Sequence, residues 1–288
     1  MFEACVDKHR VAYDGSFRVA QASNRADETK INYKKQLAEQ VDRISDAQQR
    51  LYADNRFSVL LVFQAMDAAG KDSTIRAILS GVNPAWCQVA SFKKPSEREI
   101  DHDFLWRTTR LLPERGRMGV FNRSQYEEVL VVRVHPKILG YQRLPDFADT
   151  PEFWDSRLQS IADQEKHLAR NGTVILKFWL NVSPEEQKRR FLSRLQTPKK
   201  QWKFSAGDLE EASHWDAYMQ AYEAALNATS RPWAPWYAIP ADDKRYMRYQ
   251  VAKTVADSLE SLDARYPSPS AKEKAEFAGF EKDLLKSV

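Results

Sequence analysis

An apolar segment that runs into a small-residue loop constrains the fold of this chain more than any other feature. Residues 57–63 are almost entirely apolar and predict a buried strand. The loop that follows ends in Gly70 and Lys71, at the start of a helical pattern over residues 71–79. A strand, a tight turn and a helix N-terminus together form a phosphate-binding loop, because free backbone N–H groups favour an anion there and the lysine reaches the outer phosphates.

The loop departs from the usual phosphate-loop pattern at two positions. Ala65 stands where the first glycine belongs, and Asp72 replaces the serine or threonine that would hold Mg²⁺. Asp67, inside the loop, is the substitute metal ligand that we infer. The alternative interpretation of the segment is an ordinary strand-to-helix turn with a surface lysine.

Length and composition indicate a globular protein of one or two domains. The 288 residues are 43% hydrophobic and 29% charged, with a net charge of +4. Cys5 and Cys87 provide neither a disulfide framework nor a metal-binding spacing, so we expect a reducing cytoplasm. The charged N-terminus does not look like a signal peptide, and no run approaches the ~18 apolar residues of a membrane span. We therefore expect a soluble protein without a membrane partner.

Strand and helix patterns alternate along the chain. The predicted strands are residues 57–63, 88–92, 118–121, 173–180 and 236–239. The predicted helices are residues 27–53, 71–79, 96–112 (opened by a capping box at Ser96 and Glu99), 153–169, 209–226 and 244–266, with a further helix starting at Ser183. This alternation predicts an α/β fold, a parallel five-stranded sheet with helices on both faces.

The same patterns suggest where the domain begins and ends. Residues 1–26 are polar and weakly patterned, and we predict a poorly ordered arm there. Residues 27–266 form the predicted domain, and residues 267–288 a charged C-terminal tail. The long first helix has a narrow apolar stripe, which predicts packing on the domain or on a partner subunit.

Polar residues that follow the third predicted strand suggest the second half of a site. Open α/β sheets bind ligands at the carboxyl ends of their strands, where Asn122 and Arg123 fall, with Tyr126 and Glu127 close behind. Arg123 would contact phosphate, and Asn122 would reach a metal ion or its water. An ordinary strand-exit loop is the alternative.

Basic residues cluster after the fourth predicted strand. They are Lys188, Arg189, Arg190, Arg194, Lys199, Lys200 and Lys203. Nucleotide kinases carry an arginine-bearing lid at this point, which we place at residues 183–208; a solvated helix face is the alternative. Lys93 and Lys94 follow the second strand and would lie at the same edge of the sheet. Together with the basic cluster they would provide more positive charge than one nucleoside triphosphate requires.

Motifs spread over residues 30–265 resemble the polyphosphate kinase 2 family. They are residues 63–75 (FQAMDAAGKDSTI), 81–84 (GVNP), 91–93 (SFK), 102–107 (HDFLWR), 119–127 (GVFNRSQYE), 202–205 (WKFS), 208–209 (DL), 232–236 (PWAPW) and 241–244 (ADDK). The resemblance implies a three-layer P-loop kinase fold like that of thymidylate kinase, with a helical lid. It also implies phosphoryl transfer between inorganic polyphosphate and nucleotides with Mg²⁺, or Mn²⁺ as an alternative.

Carried over position by position, the resemblance assigns roles within the site. The catalytic residues would be Asp67, Lys71 and Arg123, the metal ligands Asp67 and Asn122, and the nucleotide-binding residues Asn122, Tyr126 and Glu127. The phosphate-binding residues would be Ala68, Ala69, Gly70, Asp72, Ser73, Lys93, Lys94, Arg133, Arg189, Arg190 and Arg194. Residues 126–128 resemble those of the subgroup that accepts both AMP and ADP, although Glu128 stands where aspartate is more usual.

The expected partners are inorganic polyphosphate, AMP, ADP and ATP, together with further copies of the chain in a homodimer or homotetramer. A long polyanion suits a channel of cations, because binding releases its counterions. Two other functions remain open at this point. One is an ATP-dependent nucleoside monophosphate kinase on the same fold, and the other is a non-catalytic protein that binds polyphosphate or nucleic acid. Retention of Asp67, Lys71 and Arg123 together argues against the second, and we expect no nucleic-acid partner.

Overall fold

Five parallel strands form the centre of the protein, as the sequence predicts. The computed structural model describes residues 7–26, 32–145 and 148–286. The strands are β1 (Ser58–Gln64), β2 (Cys87–Ser91), β3 (Met118–Asn122), β4 (Thr173–Asn181) and β5 (Trp236–Pro240), in the order β2-β3-β1-β4-β5. The central strand β1 is buried along its whole length, as its uninterrupted apolar sequence requires of a strand covered on both faces.

Helices cover both faces of the sheet. They are α1 (Tyr33–Asp54), α2 (Lys71–Ile78), α3 (Glu97–Ile100), α4 (Trp106–Thr109), α5 (Val131–Val134), α6 (Leu139–Gln142), α7 (Pro151–Arg170), α8 (Pro184–Gln196), α9 (Pro198–Gln201), α10 (Ala206–Ser213), α11 (Trp215–Thr229), α12 (Lys244–Glu260) and α13 (Ala271–Lys286). Short 3₁₀ turns occur at Val19–Gln21, Pro84–Trp86, Gln125–Glu128 and Pro136–Ile138. None of the helices in the described part of the chain is both long enough and apolar enough to cross a membrane.

Strand register brings the two halves of the predicted site together. Phe63 of β1 pairs with Asn122 of β3, so both strands end at the same edge of the sheet. Gln64, the last residue of β1, pairs with Trp179 of β4. The loop after β1 and the polar residues after β3 therefore begin side by side.

The long first helix packs on the domain itself. α1 starts at Tyr33, because the side chain of Asn32 accepts a hydrogen bond from the Lys35 backbone N–H; residues 27–31 of the predicted helix lie outside the described residues. Ile44 and Leu51 are buried along its inner face. α1 lies along α12, and ion pairs from Arg43 to Asp257 and Glu260 join the two helices.

The segment before α1 differs from the predicted poorly ordered arm. Residues 9–11 lie against β5, where the Val11 N–H donates to the Trp236 carbonyl (2.8 Å) and the Ala238 N–H donates to the His9 carbonyl (2.8 Å). Farther along the segment, the Phe17 and Val19 N–H groups donate to Asn227 (3.0 Å) and Glu223 (2.8 Å) of α11. Val11 is 1% exposed. The sequence of the segment has no helical or strand periodicity that would predict this. Backbone hydrogen bonds to β5 hold it in place instead. Residues 1–6 of the predicted arm lie outside the described residues.

Several helices end earlier than their apolar patterns suggest. The capping box at Ser96 and Glu99 is present, but α3 ends at Ile100. The Asp103 carboxylate then accepts a hydrogen bond from the Leu105 N–H (2.9 Å), a turn that competes with helix and separates α3 from α4. The predicted helix over residues 209–226 is likewise divided, into α10 and α11. The predicted charged tail contains a helix, α13, that buries none of its residues.

Candidate active site

The loop between β1 and α2 requires glycine at its last position. Gly70 has a φ angle of 115°, in the left-handed region that only glycine adopts without strain. A Cβ atom there would lie 3.0 Å from Met247 Cε on α12 and 3.9 Å from Arg190 Nη1 on α8. The loop is thus held between two helices of the C-terminal half of the chain.

Lys71 begins α2 and extends back across the loop. Its Nζ donates to the carbonyl oxygens of Ala65 (2.6 Å) and Met66 (3.4 Å). Burial, and next the positive charge of Arg123, lower the pKa of Lys71 to about 8. The ammonium is therefore easier to deprotonate than that of a surface lysine.

Arg123 joins the loop to the residues that follow β3. It has a φ angle of 64°, and its backbone N–H donates to the Phe63 carbonyl (3.0 Å). Its guanidinium donates to Asp67 Oδ1 (2.8 Å) and to Glu127 Oε2 (3.0 Å). These two carboxylates, first Glu127 and then Asp67, raise the pKa of Arg123 above its usual value and keep it charged.

Asn122 and Asp72 face each other across the site. The Asn122 amide Nδ2 donates to Asp72 Oδ1 at 2.6 Å. With Asp67, they place two carboxylates and one amide oxygen on the same cavity. No group of three or more histidine, cysteine, aspartate or glutamate side chains among the described residues forms a metal cage. The oxygen set fits Mg²⁺, which binds one or two carboxylates and takes its other ligands from substrate phosphates and water.

The lid arginines differ sharply in their surroundings. Arg190 is 5% exposed and donates to Glu186 (2.6 Å) and to four backbone oxygens. These are the carbonyl oxygens of Ala68 (3.1 Å), Ala69 (2.5 Å), Ala241 (2.6 Å) and Asp242 (3.1 Å). Arg189 is exposed and pairs only with Glu186 within the described structure, and Arg194 pairs with Asp208 of α10 (2.8 Å). Arg190 is therefore a clamp on the phosphate loop, whereas Arg189 is open to a ligand.

A cavity of ≈ 930 Å³ extends over the loop and under the lid. Among the described residues that line it, eleven are cationic and only two, Asp67 and Asp72, are acidic. The cations are Lys71, Lys93, Arg123, Arg189, Arg190, Arg194, Lys199, Lys200, Lys203, Lys244 and Arg248. So large an excess of one sign focuses a positive potential into the cavity.

A second cavity, of ≈ 450 Å³, lies beside the first and is more apolar. Both cavities share Phe92, Lys93 and Arg123. Glu127 and Glu128 line the second cavity, and the Gln142 amide donates to both oxygens of Glu128 (3.1 and 2.9 Å). Burial raises the pKa of the Glu128 carboxyl. Two cavities of different polarity thus meet at Arg123.

The description of the family model that matches residues 27–267 is "Polyphosphate kinase 2 (PPK2)". The chain belongs to the polyphosphate kinase 2 family. It is 55% identical over 260 residues to an ADP-polyphosphate phosphotransferase from Rhodopseudomonas palustris, covering 90% of each chain. It is 43% identical to an AMP/ADP-polyphosphate phosphotransferase from Meiothermus ruber, covering 93% of this chain and 98% of that one.

The fold is likewise that of the family. The crystal structure of polyphosphate kinase 2 from Arthrobacter aurescens TC1 superposes with a TM-score of 0.85 at 35% identity, covering 96% of this chain and 99% of that one. The predicted P-loop kinase fold is confirmed. Polyphosphate kinase 2 enzymes use a divalent metal ion.

Most residues assigned from the family resemblance gather at the two cavities. Those that line the large cavity are Asp67, Ala68, Gly70, Lys71, Asp72, Ser73, Lys93, Asn122, Arg123, Arg189, Arg190 and Arg194. Lys94 and Glu127 line the smaller one. These residues come from four separate segments, which the parallel sheet brings to one edge.

Three assigned residues lie elsewhere. Tyr126 is fully buried, and its hydroxyl donates to Glu165 (2.8 Å) and accepts from Lys177 (2.9 Å), so it supports the site from the core and does not reach a nucleotide. Arg133 lies over the Trp154 ring and lines neither cavity. Ala69 is fully buried, and its contribution is the carbonyl oxygen that Arg190 binds.

Trp202, Lys244 and Arg248 are among the residues of the large cavity to which the sequence assigned no role. Trp202 is 78% exposed on the lid, and Lys244 and Arg248 lie one turn apart at the start of α12. The position of Lys244 and Arg248 could have been predicted in part, because α12 follows β5 and so begins at the same edge of the sheet as the phosphate loop.

Proposed function

We propose that this protein transfers the terminal phosphoryl group of inorganic polyphosphate to AMP and to ADP, giving ADP and ATP. The observation that supports this most strongly is the eleven-cation cavity, which opens at Arg123 onto a smaller, more apolar cavity. The first suits a long chain of phosphates and the second a nucleotide.

The donor lies in the large cavity in this proposal. A polyphosphate carries about one negative charge per phosphate, so cations lined up along a channel bind it with release of counterions. Arginine suits this role because its planar fork binds phosphate oxygens in pairs, while lysine acts as a point charge. Arg189 and the lid lysines Lys199, Lys200 and Lys203 are exposed and available for this purpose.

The acceptor nucleotide lies in the smaller cavity. Its apolar walls include Phe104 and Ile138, which provide a surface for a base, and Glu127 and Gln142 provide polar contacts. The phosphate end of the nucleotide would point to the junction of the cavities, where Lys93 and Arg123 lie. That geometry brings donor and acceptor phosphates together in line.

The transfer needs no covalent intermediate. A nucleotide phosphate oxygen forms a new P–O bond to the terminal phosphorus as the bond from that phosphorus to the bridging oxygen breaks, and the shortened polyphosphate keeps that oxygen. Lys71 and Arg123 neutralise charge that develops on the transferred group. Asp67 holds the Arg123 guanidinium in place (2.8 Å).

We propose Mg²⁺ as the metal, with Mn²⁺ as an alternative, held by Asp67 and by the amide oxygen of Asn122 with Asp72 beside it. The metal would supply charge neutralisation at the phosphate oxygens. Both carboxylates line the large cavity, and neither is closed off in a cage of protein ligands within the described residues.

We propose both AMP and ADP as acceptors because residues 126–128 resemble the subgroup that accepts both, and because of the names of two relatives. One relative is named for ADP and another for AMP and ADP. Glu127 lines the acceptor cavity and holds Arg123 at 3.0 Å, so it is placed to distinguish acceptors by the phosphates they carry.

The deciding experiment gives the purified protein Mg²⁺ and long-chain polyphosphate, with AMP and ADP offered separately. ADP from AMP and ATP from ADP would support the full proposal, and product from one acceptor alone would overturn the role of Glu127. Transfer from ATP to AMP without any use of polyphosphate would favour a nucleoside monophosphate kinase. Asp67→Asn tests the metal assignment, since near-normal turnover of this variant with Mg²⁺ would contradict it.

We further propose that residues 27–266 form the catalytic domain with its lid at residues 183–208, that the protein is cytoplasmic, and that it assembles as a homodimer or homotetramer. The paucity of cysteines supports the cellular location. Light scattering on the purified protein tests the assembly, and a monomer at micromolar concentration would contradict it.

A further inference from the structure

A third cavity, of ≈ 260 Å³, meets the large cavity and the smaller one at Arg123 and is not used by the proposed transfer. Its walls come from the phosphate loop, the turn after β3 and the helices α10 and α11. Among the described residues that line it, Arg123 is the one cation, and the acidic residues are Asp67, Glu127, Asp208 and Glu211. This excess of negative charge repels phosphates, so we expect neither substrate to bind there.

The Tyr222 side chain of α11 reaches this cavity from the core. It is 3% exposed, and its ring packs beside that of Trp179 on β4, with 5.5 Å between the ring centroids. Its hydroxyl forms no hydrogen bond within the described part of the chain, whereas the hydroxyl of Tyr218, one turn earlier, donates to Glu211 (2.5 Å). A polar group buried without a partner costs stability, and native proteins rarely keep one without a reason.

The charged neighbours of Tyr222 are residues of the reaction centre. Burial, and next the negative charge of Glu127, raise the pKa of Tyr222 well above its usual value; Asp67 adds to the effect and Arg123 opposes it. The phenol therefore keeps its proton at neutral pH and is a hydrogen-bond donor. The same cavity contains the carboxylates of Glu127 and Asp67, which are acceptors.

Arg123 holds both carboxylates in this structure and cannot keep both while it binds two phosphates. A guanidinium has five N–H donors, and two of those of Arg123 go to Asp67 (2.8 Å) and Glu127 (3.0 Å). In the proposed reaction the donor and acceptor phosphates meet at Arg123, and two bidentate phosphate contacts need four donors. Only three remain, so Arg123 has to release at least one carboxylate in the third cavity.

We propose that Tyr222 is a positioning residue for phosphoryl transfer, whose hydroxyl donates to the Glu127 carboxylate when the Arg123 guanidinium turns from Glu127 to the phosphates. Glu127 is the carboxylate released, because it also lines the smaller cavity, where the acceptor lies, whereas Asp67 faces the large cavity and the metal. The new hydrogen bond keeps a buried carboxylate paired and so stabilises the state in which Arg123 binds both phosphates. This inference rests on the proposed reaction, in which the two phosphates meet at Arg123.

The test is Tyr222→Phe, which removes only the hydroxyl. With long-chain polyphosphate at saturation, kcat/KM for AMP and for ADP should each fall about tenfold to a hundredfold, the usual effect of losing one hydrogen bond to a charged group. The melting temperature measured without substrates should equal or exceed that of the wild type, because the variant no longer buries a hydroxyl without a partner. Tyr218→Phe is the matched control: it breaks the hydrogen bond to Glu211, so its melting temperature should fall while kcat/KM stays near the wild-type value.

A second comparison shows whether Tyr222 acts through Glu127. Glu127→Gln leaves no charged carboxylate to pair, so adding Tyr222→Phe to it should lower kcat/KM by roughly threefold or less. A Tyr222→Phe variant with wild-type kcat/KM, or with a loss that is equally large in the Glu127→Gln background, would overturn the inference and leave the proposed function intact.

The melting temperatures give an independent decision. A lower melting temperature in Tyr222→Phe would reveal an ordinary structural hydrogen bond of the hydroxyl and would also overturn the inference. A wild-type protein that transfers phosphate from polyphosphate to neither AMP nor ADP would overturn the inference and the proposed function together.

Discussion

The buried guanidinium of Arg190 offers the sharpest test of how the lid and the phosphate loop are connected. Arg190→Lys keeps the positive charge but replaces a five-donor fork with a single ammonium. That ammonium cannot reach carbonyl groups in both the loop and the turn before α12, so about two buried carbonyl oxygens lose their partner. Each such loss costs about 1–3 kcal/mol, so for two of them we expect the free energy of unfolding to fall by about 2–6 kcal/mol.

Arg189→Lys is the matched control, because Arg189 is the adjacent residue and its side chain is 72% exposed. Its change in stability should stay within ~0.5 kcal/mol. Urea denaturation followed by circular dichroism measures both variants. In Arg190→Lys the released loop should also lower kcat for ATP formation about a hundredfold, as displacements of about 1 Å do in other active sites. Equal stability of the two lysine variants would refute the clamp.

Three other predictions follow from the buried charges and from the tail. The pKa of Lys71 is about 8, and its charged form binds phosphate, so kcat/KM for polyphosphate should fall as the pH rises through about 8. The pKa of Lys244 is also about 8, so if the Lys244→Gln variant no longer shows this fall, the fall reports Lys244 and not Lys71. Lys177→Met leaves the buried Glu165 carboxylate without its cation, which lies 2.5 Å away in the wild type, so the free energy of unfolding in chemical denaturation should fall by about 3–5 kcal/mol. Adding Glu165→Gln should recover much of this loss, and a loss that is not recovered would contradict the ion-pair explanation. Deletion of residues 268–288 should leave the melting temperature within about 2 °C, because α13 buries no residue, and a larger drop would reveal a contact of the tail with the domain.

The strands and the phosphate loop could be predicted because their signals are local. A strand buried on both faces, such as β1, must be apolar throughout, and the sequence shows this directly. Gly70 and Lys71 mark the start of α2 because a left-handed turn and a helix N-terminus have strong residue preferences. Arg123 and Asn122 followed from the rule that parallel strands place their carboxyl ends together.

The direction in which individual side chains point could not be predicted in the same way. Tyr126 lies between two site residues in sequence, but the 3₁₀ turn at Gln125–Glu128 directs it into the core. There its hydroxyl binds Glu165 of α7 and Lys177 of β4. Whether Lys244 faces the cavity depends on the rotation of α12, which packing against Gly70 sets. Both orientations depend on tertiary packing and cannot be read from the local periodicity of the sequence.

The pairing of residues 9–11 with β5 has a consequence for the behaviour of the protein in solution. An edge strand carries unpaired backbone N–H and C=O groups with which another chain can pair. On the outer edge of β5, residues 9–11 bind these groups. They lie outside residues 27–267, which match the family. A truncated protein that kept only the matched region would present a bare rim at β5, so its tendency to aggregate should exceed that of the full chain even with every residue of the active site in place.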